Sequence, residues 1–272
     1  MRVHIYYIVT VILAALLGLF VLGVIFSEEI LLKDDFKRGD SLISNSQPSS
    51  AVVATDSLIR PIKGVDVSHF QGDVPWDKLD TSILFAICKA TEGHTLLDAK
   101  FKENWSTIKN SKRIRGAYHF YLTSDPPATQ ATFFWDTVGQ LEDSDLPLIL
   151  DIEEGSLRGE VTIYQLQKDL LTFLTNLERV SGKRPIIYSN TFFANKYLDN
   201  QELAAYPLWV AEYSSSRTTP ELPSAWKNKG WVFWQKSDTY NLQNANEDVD
   251  FDLFNGTKEH LKAFILESNS SL

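Results

Sequence analysis

One cysteine, Cys88, stands in a chain of 272 residues. An intramolecular disulfide is therefore excluded, and stability must come from packing. Cys88 lies inside the apolar run ILFAICKA, where it reads as a small buried hydrophobe. Basic residues are the minority: 26 Lys and Arg face 35 Asp and Glu, for a formal net charge of −9. No basic patch or stripe is visible, so nucleic acid is not an expected partner. The five histidines, His4, His69, His94, His119 and His260, show no metal-ligand spacing. No metal and no other cofactor is predicted. A Gly-rich phosphate loop and a G-x-S-x-G elbow are both missing, which removes support for nucleotide chemistry and for a serine triad.

Charge is also absent from one long stretch. Residues 5–26 form an uncharged apolar run of 22. At about 1.5 Å per residue, a helix of that length spans roughly 33 Å, enough for a bilayer core. Arg2 precedes the run, and Glu28 and Glu29 follow it. That asymmetry predicts a cytoplasmic N-terminus and a catalytic domain outside, periplasmic or extracellular. The run is long for a signal peptide and ends without a small-residue cleavage pattern, so an uncleaved anchor is expected, with a cleaved, secreted form as the alternative. Residues 1–27 are thus read as a transmembrane anchor. Residues 28–60, rich in Ser and Asp, are read as a linker.

The rest, 61–268, is read as one domain. Short β-rich runs recur: IKGVDVS, ILFAICKA, RGAYHFYL, LPLILDIE, PIIYSN, PLWVAEY, GWVFWQ and DVDFDLF. Stretches with helical spacing separate the earlier ones, at 98–111, 127–142 and 160–180. Leu166, Leu170, Leu174 and Leu177 carry the pattern in the last. Alternating strands and helices predict a parallel sheet with crossovers. The expected fold is α/β, a flattened TIM-like barrel with five βα units and three further strands.

Acids collect where such a barrel places its chemistry, at the C-terminal strand ends. Asp66 ends the first run, Asp151 and Glu153 end the fourth, and Asp250 lies in the last. Alternation puts Asp151 and Glu153 on one face of a strand and turns Glu154 away. Residues two apart are separated by roughly 6.5–7 Å along a strand. Glycosidase carboxyls lie roughly 5–5.5 Å apart in retaining and 6.5–9.5 Å apart in inverting enzymes, so the spacing fits the reaction without choosing its stereochemistry. One acid must be protonated and another ionised, and crowded carboxylates push their pKa values apart. A bare D-x-E also fits an ordinary structural or surface pair.

Seven motifs in order narrow the choice. GVDVSHFQG (64–72), KATEG (89–93), GAYHFY (116–121), LILDIE (148–153), LWVAEY (208–213), WQ (234–235) and VDFDLFNG (249–256) resemble the Chalaropsis-type lysozymes of glycoside hydrolase family 25. The resemblance covers about residues 61–265. It implies an eight-stranded, five-helix barrel. The implied activity is that of a muramidase, cleaving the β-1,4 bond between N-acetylmuramic acid and N-acetylglucosamine in peptidoglycan glycan strands. By matching motif, Glu153 is the general acid/base, Asp151 the second carboxylate, and Asp66 and Asp250 complete the cluster. Asp151 either attacks the sugar or orients the substrate's own acetamido group. Two residues depart from the pattern: Asp252 stands where Asn is frequent, and Glu212 where Gln is usual.

Aromatic residues at strand ends, Tyr118, Tyr188, Trp209, Tyr213 and Trp234, are candidates for sugar contacts, with barrel packing as the competing role. Gln235 is a candidate hydrogen-bonding partner. Lys89 and Glu92 are candidates for tuning the acidic cluster. His119 is expected to be a satisfied core residue, and His69 part of a loop. A monomer is expected. The competing functions are a catalytically silent, wall-binding barrel that scaffolds other enzymes, and a glycosidase of chitin-like polymers. The chitinase D-x-x-D-x-D-x-E signature is absent.

Overall fold

The computed structural model describes residues 61–242 and 247–269. The predicted anchor and linker lie outside the described residues. Among the described residues, no helix is long and apolar enough to cross a membrane.

The strands are β1 (Ile62–Val67), β2 (Ile83–Glu92), the two-residue β3 (Leu96–Leu97), β4 (Ile114–Phe120), β5 (Ile149–Asp151), β6 (Ile186–Asn190), β7 (Leu208–Ala211), β8 (Phe233–Tyr240) and β9 (Val249–Phe254). The helices are α1 (Phe101–Asn110), α2 (Pro127–Val138), α3 (Ile163–Ser181), α4 (Thr191–Tyr197) and α5 (Lys258–Glu267). β1 pairs with β2 on one side and β9 on the other, so eight strands close into a ring and β3 is a short appendage on β2. Neighbours are parallel from β1 round to β8. β9 is antiparallel to both β8 and β1.

Local chemistry sets the helix limits. Thr162 caps α3 by accepting from the Gln165 N–H, and Gly182 ends it at φ 67°. Pro127 opens α2, where its missing N–H costs nothing, and Gly139 stops it at φ 74°. The helix-like runs at 127–142 and 160–180 are accordingly shorter than their spacing suggested.

The expectation of five regular βα units is corrected at the first. Residues 68–82, between β1 and β2, hold a 3-10 turn at His69–Gln71 and no α-helix. Gly72 sits at φ 62°, and Pro75 disfavours helical backbone before it. Four helical crossovers, α1 to α4, follow later strands, and α5 comes after β9.

Two apolar layers result. Phe85, Ile87, Ile149, Trp209, Phe233 and Phe254 fill the barrel. Ala86, Leu150, Ile187 and Val210 point outward against Phe134, Leu170, Phe173 and Leu174 of the helices. The parallel strands are apolar on both faces, as expected of strands buried on both sides. Cys88 lies in the outer layer, and burial pushes its thiol up, away from reactivity. His119 is fully buried between Thr91 Oγ1 (2.8 Å) and Gln130 Oε1 (3.1 Å). Burial lowers its pKa to about 3, so it is a neutral core residue.

One buried ion pair fastens the end of the barrel where β4 begins. Arg115 grips Asp145 through Nε to Oδ1 (2.7 Å) and Nη2 to Oδ2 (2.9 Å), and its guanidinium lies over the Trp105 ring at 3.9 Å. Lys183 Nζ donates to the Asp145 carbonyl at 2.9 Å.

Candidate active site

The C-terminal ends of the parallel strands surround a cleft of about 250 Å³. β1 brings Asp66, β2 Lys89, β4 Tyr118 and Phe120, β5 Asp151, β6 Tyr188, β7 Trp209 and β8 Gln235. β9 runs the other way, so its acid comes from its beginning, Asp250. Glu153 and Tyr213 reach the cleft from just beyond β5 and β7.

The D-x-E pair is built differently from a simple strand. β5 stops at Asp151, while the backbone stays extended through Glu153 at φ −151° and then enters the 3-10 turn Glu154–Ser156. Ser156 Oγ accepts from the Glu153 N–H at 3.1 Å and fixes that transition. Asp151 and Glu153 both line the cleft. Glu154 turns to Asn190, whose Nδ2 donates to its carboxylate at 2.9 Å.

Electrostatics raises the pKa of every one of the four cleft acids. Asp151 is 7% exposed, and burial, then the Glu153 charge, holds its pKa well above the usual range, with Lys89 opposing. Its Oδ1 has no hydrogen-bond partner in the protein. Glu153 is half-buried; burial, then Glu154, raises its pKa, and Lys89 again opposes. Asp66 is raised by burial and by Asp252. Burial and the Asp66 charge push Asp250 up to about 9. A second network braces the floor. Gln235 Nε2 donates to Asp66 Oδ2 at 2.8 Å, and Gln235 Oε1 accepts from the hydroxyls of Tyr188 (2.8 Å) and Tyr213 (3.0 Å).

Three of the expected contacts are placed away from the open face of the cleft. Trp234 does not line the cleft. Period-2 alternation turns Gln235 in and Trp234 out, into the layer between barrel and helices, where its Nε1 donates to the Glu212 carbonyl. Trp209 reaches the cleft but is 1% exposed, so it has no face to offer a sugar ring. Its ring meets Tyr188 edge-on, and its Nε1 donates to Asp252. Glu92 is not among the cleft residues; it pairs with Lys89 Nζ at 2.8 Å and so orients that lysine. Glu212 faces its own loop, paired with Arg217 at 3.2 Å.

Sequence reasoning missed Phe70. It is 74% exposed on the cleft wall, and the turn that carries it is latched by Asp98, which accepts from the His69 N–H (3.0 Å) and contacts His69 Nδ1 (2.7 Å). An aromatic inside GVDVSHFQG, four residues past Asp66, was the available signal. Phe120 was missed in the same way. Asp252 was seen as a departure but not as a neighbour of Asp66. Its signal was the D-x-D alternation, which puts Asp250 and Asp252 on one face.

A barrel whose strand ends present four buried or half-buried carboxyls, every one with a raised pKa, and exposed aromatic surface at the rim defines a glycosidase-type site. The comparisons agree with that class. The profile of the family described as Glycosyl hydrolases family 25 matches residues 65–245. An Escherichia coli K12 protein known as uncharacterized protein YegX is 37% identical over 210 residues, covering 75% of this chain and 73% of its own. Lysozyme M1 of Streptomyces globisporus is 32% identical over 211 residues, covering 74% and 70%. The crystal structure of a bacterial lysozyme from Streptomyces coelicolor superposes with a TM-score of 0.71 at 30% identity, covering 77% of this chain and 99% of that one. The chain belongs to glycosyl hydrolases family 25 and is a glycoside hydrolase.

Proposed function

We propose that this chain is a peptidoglycan muramidase that cleaves the β-1,4 bond between N-acetylmuramic acid and N-acetylglucosamine, with catalysis assisted by the substrate's acetamido group. Membership of a family whose relatives here are lysozymes supports the substrate class. The observation that carries the mechanism is Asp151 Oδ1, an acceptor buried in the cleft with no donor in the protein. A buried carboxyl oxygen without a partner is costly. The N–H of an N-acetyl group supplies that partner. Held so, the acetamido oxygen attacks the anomeric carbon as the glycosidic bond breaks. Glu153, whose pKa burial and Glu154 raise, gives its proton to the departing oxygen. Glu153 then takes a proton from water as that water opens the cyclic intermediate, which returns the acid and retains the anomeric configuration. Phe70 and Tyr213 offer exposed aromatic surface to flanking sugars.

Incubation of residues 61–272 with purified peptidoglycan, followed by mass spectrometry of new reducing ends, tests the bond. Reducing N-acetylmuramic acid is expected. Reducing N-acetylglucosamine, or binding without release of soluble fragments, refutes the assignment, and the latter result favours a silent wall-binding barrel.

The reading extends to location. Residues 5–26 serve as an uncleaved membrane anchor, and the barrel acts on the wall outside the cytoplasm. Fractionation of cells expressing the full chain should recover it at full length in membranes. A soluble form beginning near residue 28 would mean cleavage instead.

A further inference from the structure

We propose that Asp66 and Asp252 form a carboxyl pair that shares one proton at the cleft floor, with Asp252 as the residue that positions Asp66. Only the catalytic consequence rests on the muramidase reading; the pair itself stands on geometry. β9 lies antiparallel to β1 with Asp252 opposite Gly64 and Asp250 opposite Asp66. Residues two apart on a strand face the same way, so Asp250 and Asp252 both enter the barrel. Asp252 is completely buried. Its Oδ1 accepts from Trp209 Nε1 at 2.9 Å, while its Oδ2 has no donor in the protein. Its carboxyl bonds that of Asp66, which also bonds the Asp250 carboxyl. Asp66 in turn accepts from Gln235 Nε2 at 2.8 Å.

The order is therefore an amide N–H, a carboxyl, a second carboxyl and an indole N–H. Each acid has one fixed outer donor. Their junction brings acceptor to acceptor unless one acid keeps its proton. Two buried carboxylates in contact cannot both ionise, and one proton between them gives the orphaned oxygen its partner. Other groups face this pair from all sides: Asp250 from β9, Asp151 from β5, Tyr118 from β4, Tyr188 from β6 and Tyr213 beyond β7. Lys89 of β2, the one cation among the cleft residues, opposes them, but the acids and phenols outnumber it and favour keeping the proton. Gln235 cannot swing away, because two tyrosine hydroxyls hold its Oε1. Asp66 is thus held by Gln235, by the proton shared with Asp252 and by its bond to Asp250.

The sign of the pH effect follows. An unfolded aspartate titrates near about 3.9, so at neutral pH the unfolded chain has released a proton that the folded pair retains. The pair's contribution to stability is present at low pH and is lost as pH rises toward the folded value. One retained proton changes the unfolding constant about tenfold per pH unit. Urea unfolding between about pH 5.5 and about pH 7.5 measures this slope. In an Asp250→Asn background, which removes that acid's own retained proton, Asp252→Asn should reduce it by one proton, Asp66→Asn by one, and the further combination of the two by one rather than two. An unchanged slope in either single variant, or a loss of two protons in the double, overturns the pair. If Asp252→Asn does not fold, Asp66→Asn reads the same proton. The positioning role has a separate readout. Asn at 252 still offers Asp66 an N–H and Leu offers nothing, so kcat of Asp252→Asn should exceed that of Asp252→Leu at least about tenfold at similar KM, the difference set by one donor. Equal kcat overturns positioning. The proton count needs no activity, so failure of the pair and failure of the muramidase reading give different results.

Discussion

Glu153→Gln should lower the rate of peptidoglycan cleavage at least about a hundredfold, the lower end of what a general acid contributes. The side chain keeps its size and its hydrogen-bonding shape but has no proton to give. Because Glu153 is half-buried, with its backbone N–H held by Ser156, the substitution should leave folding intact. Burial and Glu154 raise the Glu153 pKa, so the wild-type acid stays protonated to higher pH than an exposed glutamate. As pH rises through that raised value the proton donor is lost and the rate falls. The variant should therefore lose this alkaline limb along with its activity. Initial rates of turbidity loss across pH, on protein shown to be folded by its thermal transition, check both points. Near-normal activity would remove Glu153 from the role of acid.

Arg115→Ala should destabilise the domain by about 3–5 kcal/mol, the cost of leaving one partner of a buried ion pair uncompensated. Arg115 and Asp145 are both nearly inaccessible, 8% and 3% exposed at their side chains, and are joined by two hydrogen bonds. Removing the guanidinium strands a carboxylate in that setting and also empties the stack on Trp105. Lys183 does not substitute for it, because its ammonium is committed to the Asp145 carbonyl. Urea denaturation at neutral pH measures the loss. A change below about 1 kcal/mol, the range of surface pairs, would mean that solvent reaches Asp145. Arg115 is the second residue of β4 and the cleft residues Tyr118 and Phe120 lie toward its other end, so kcat per folded molecule should stay close to wild type.

Much of this molecule was readable before any coordinates. Continuous apolar runs gave the parallel strands, since both faces of such strands are covered and need no polar alternation. The four acids were found because a parallel barrel sends every strand's C-terminal end to one side. What stayed hidden was mostly orientation. Trp234 and Gln235 are adjacent in sequence, and only the register of β8 against β9 says that glutamine faces the cleft and tryptophan the helices. Trp209 looked like a sugar platform because its burial depends on Tyr188 and Asp252, which arrive from other strands. Phe70 was overlooked because the expected first helix is a short turn, latched by an aspartate 29 residues away. The contact between Asp66 and Asp252 joins positions 186 apart, and no local pattern carries that information.

That same seam, where the first strand meets the last, has a consequence for how the enzyme comes into being. Asp66 is made early, but Asp250 and Asp252 belong to a strand that follows almost everything else. A chain interrupted before Val249 lacks the cleft's Asp250 and the buried Asp252, and leaves the edges of β1 and β8 without their shared neighbour. Pairing so distant in sequence is also slow to form. The nascent chain therefore carries its apolar strands and helices well before it carries a working site. On the proposed roles of these acids, catalytic competence arrives with the closing of the ring, and a clipped or half-made copy is expected to be inert toward the wall.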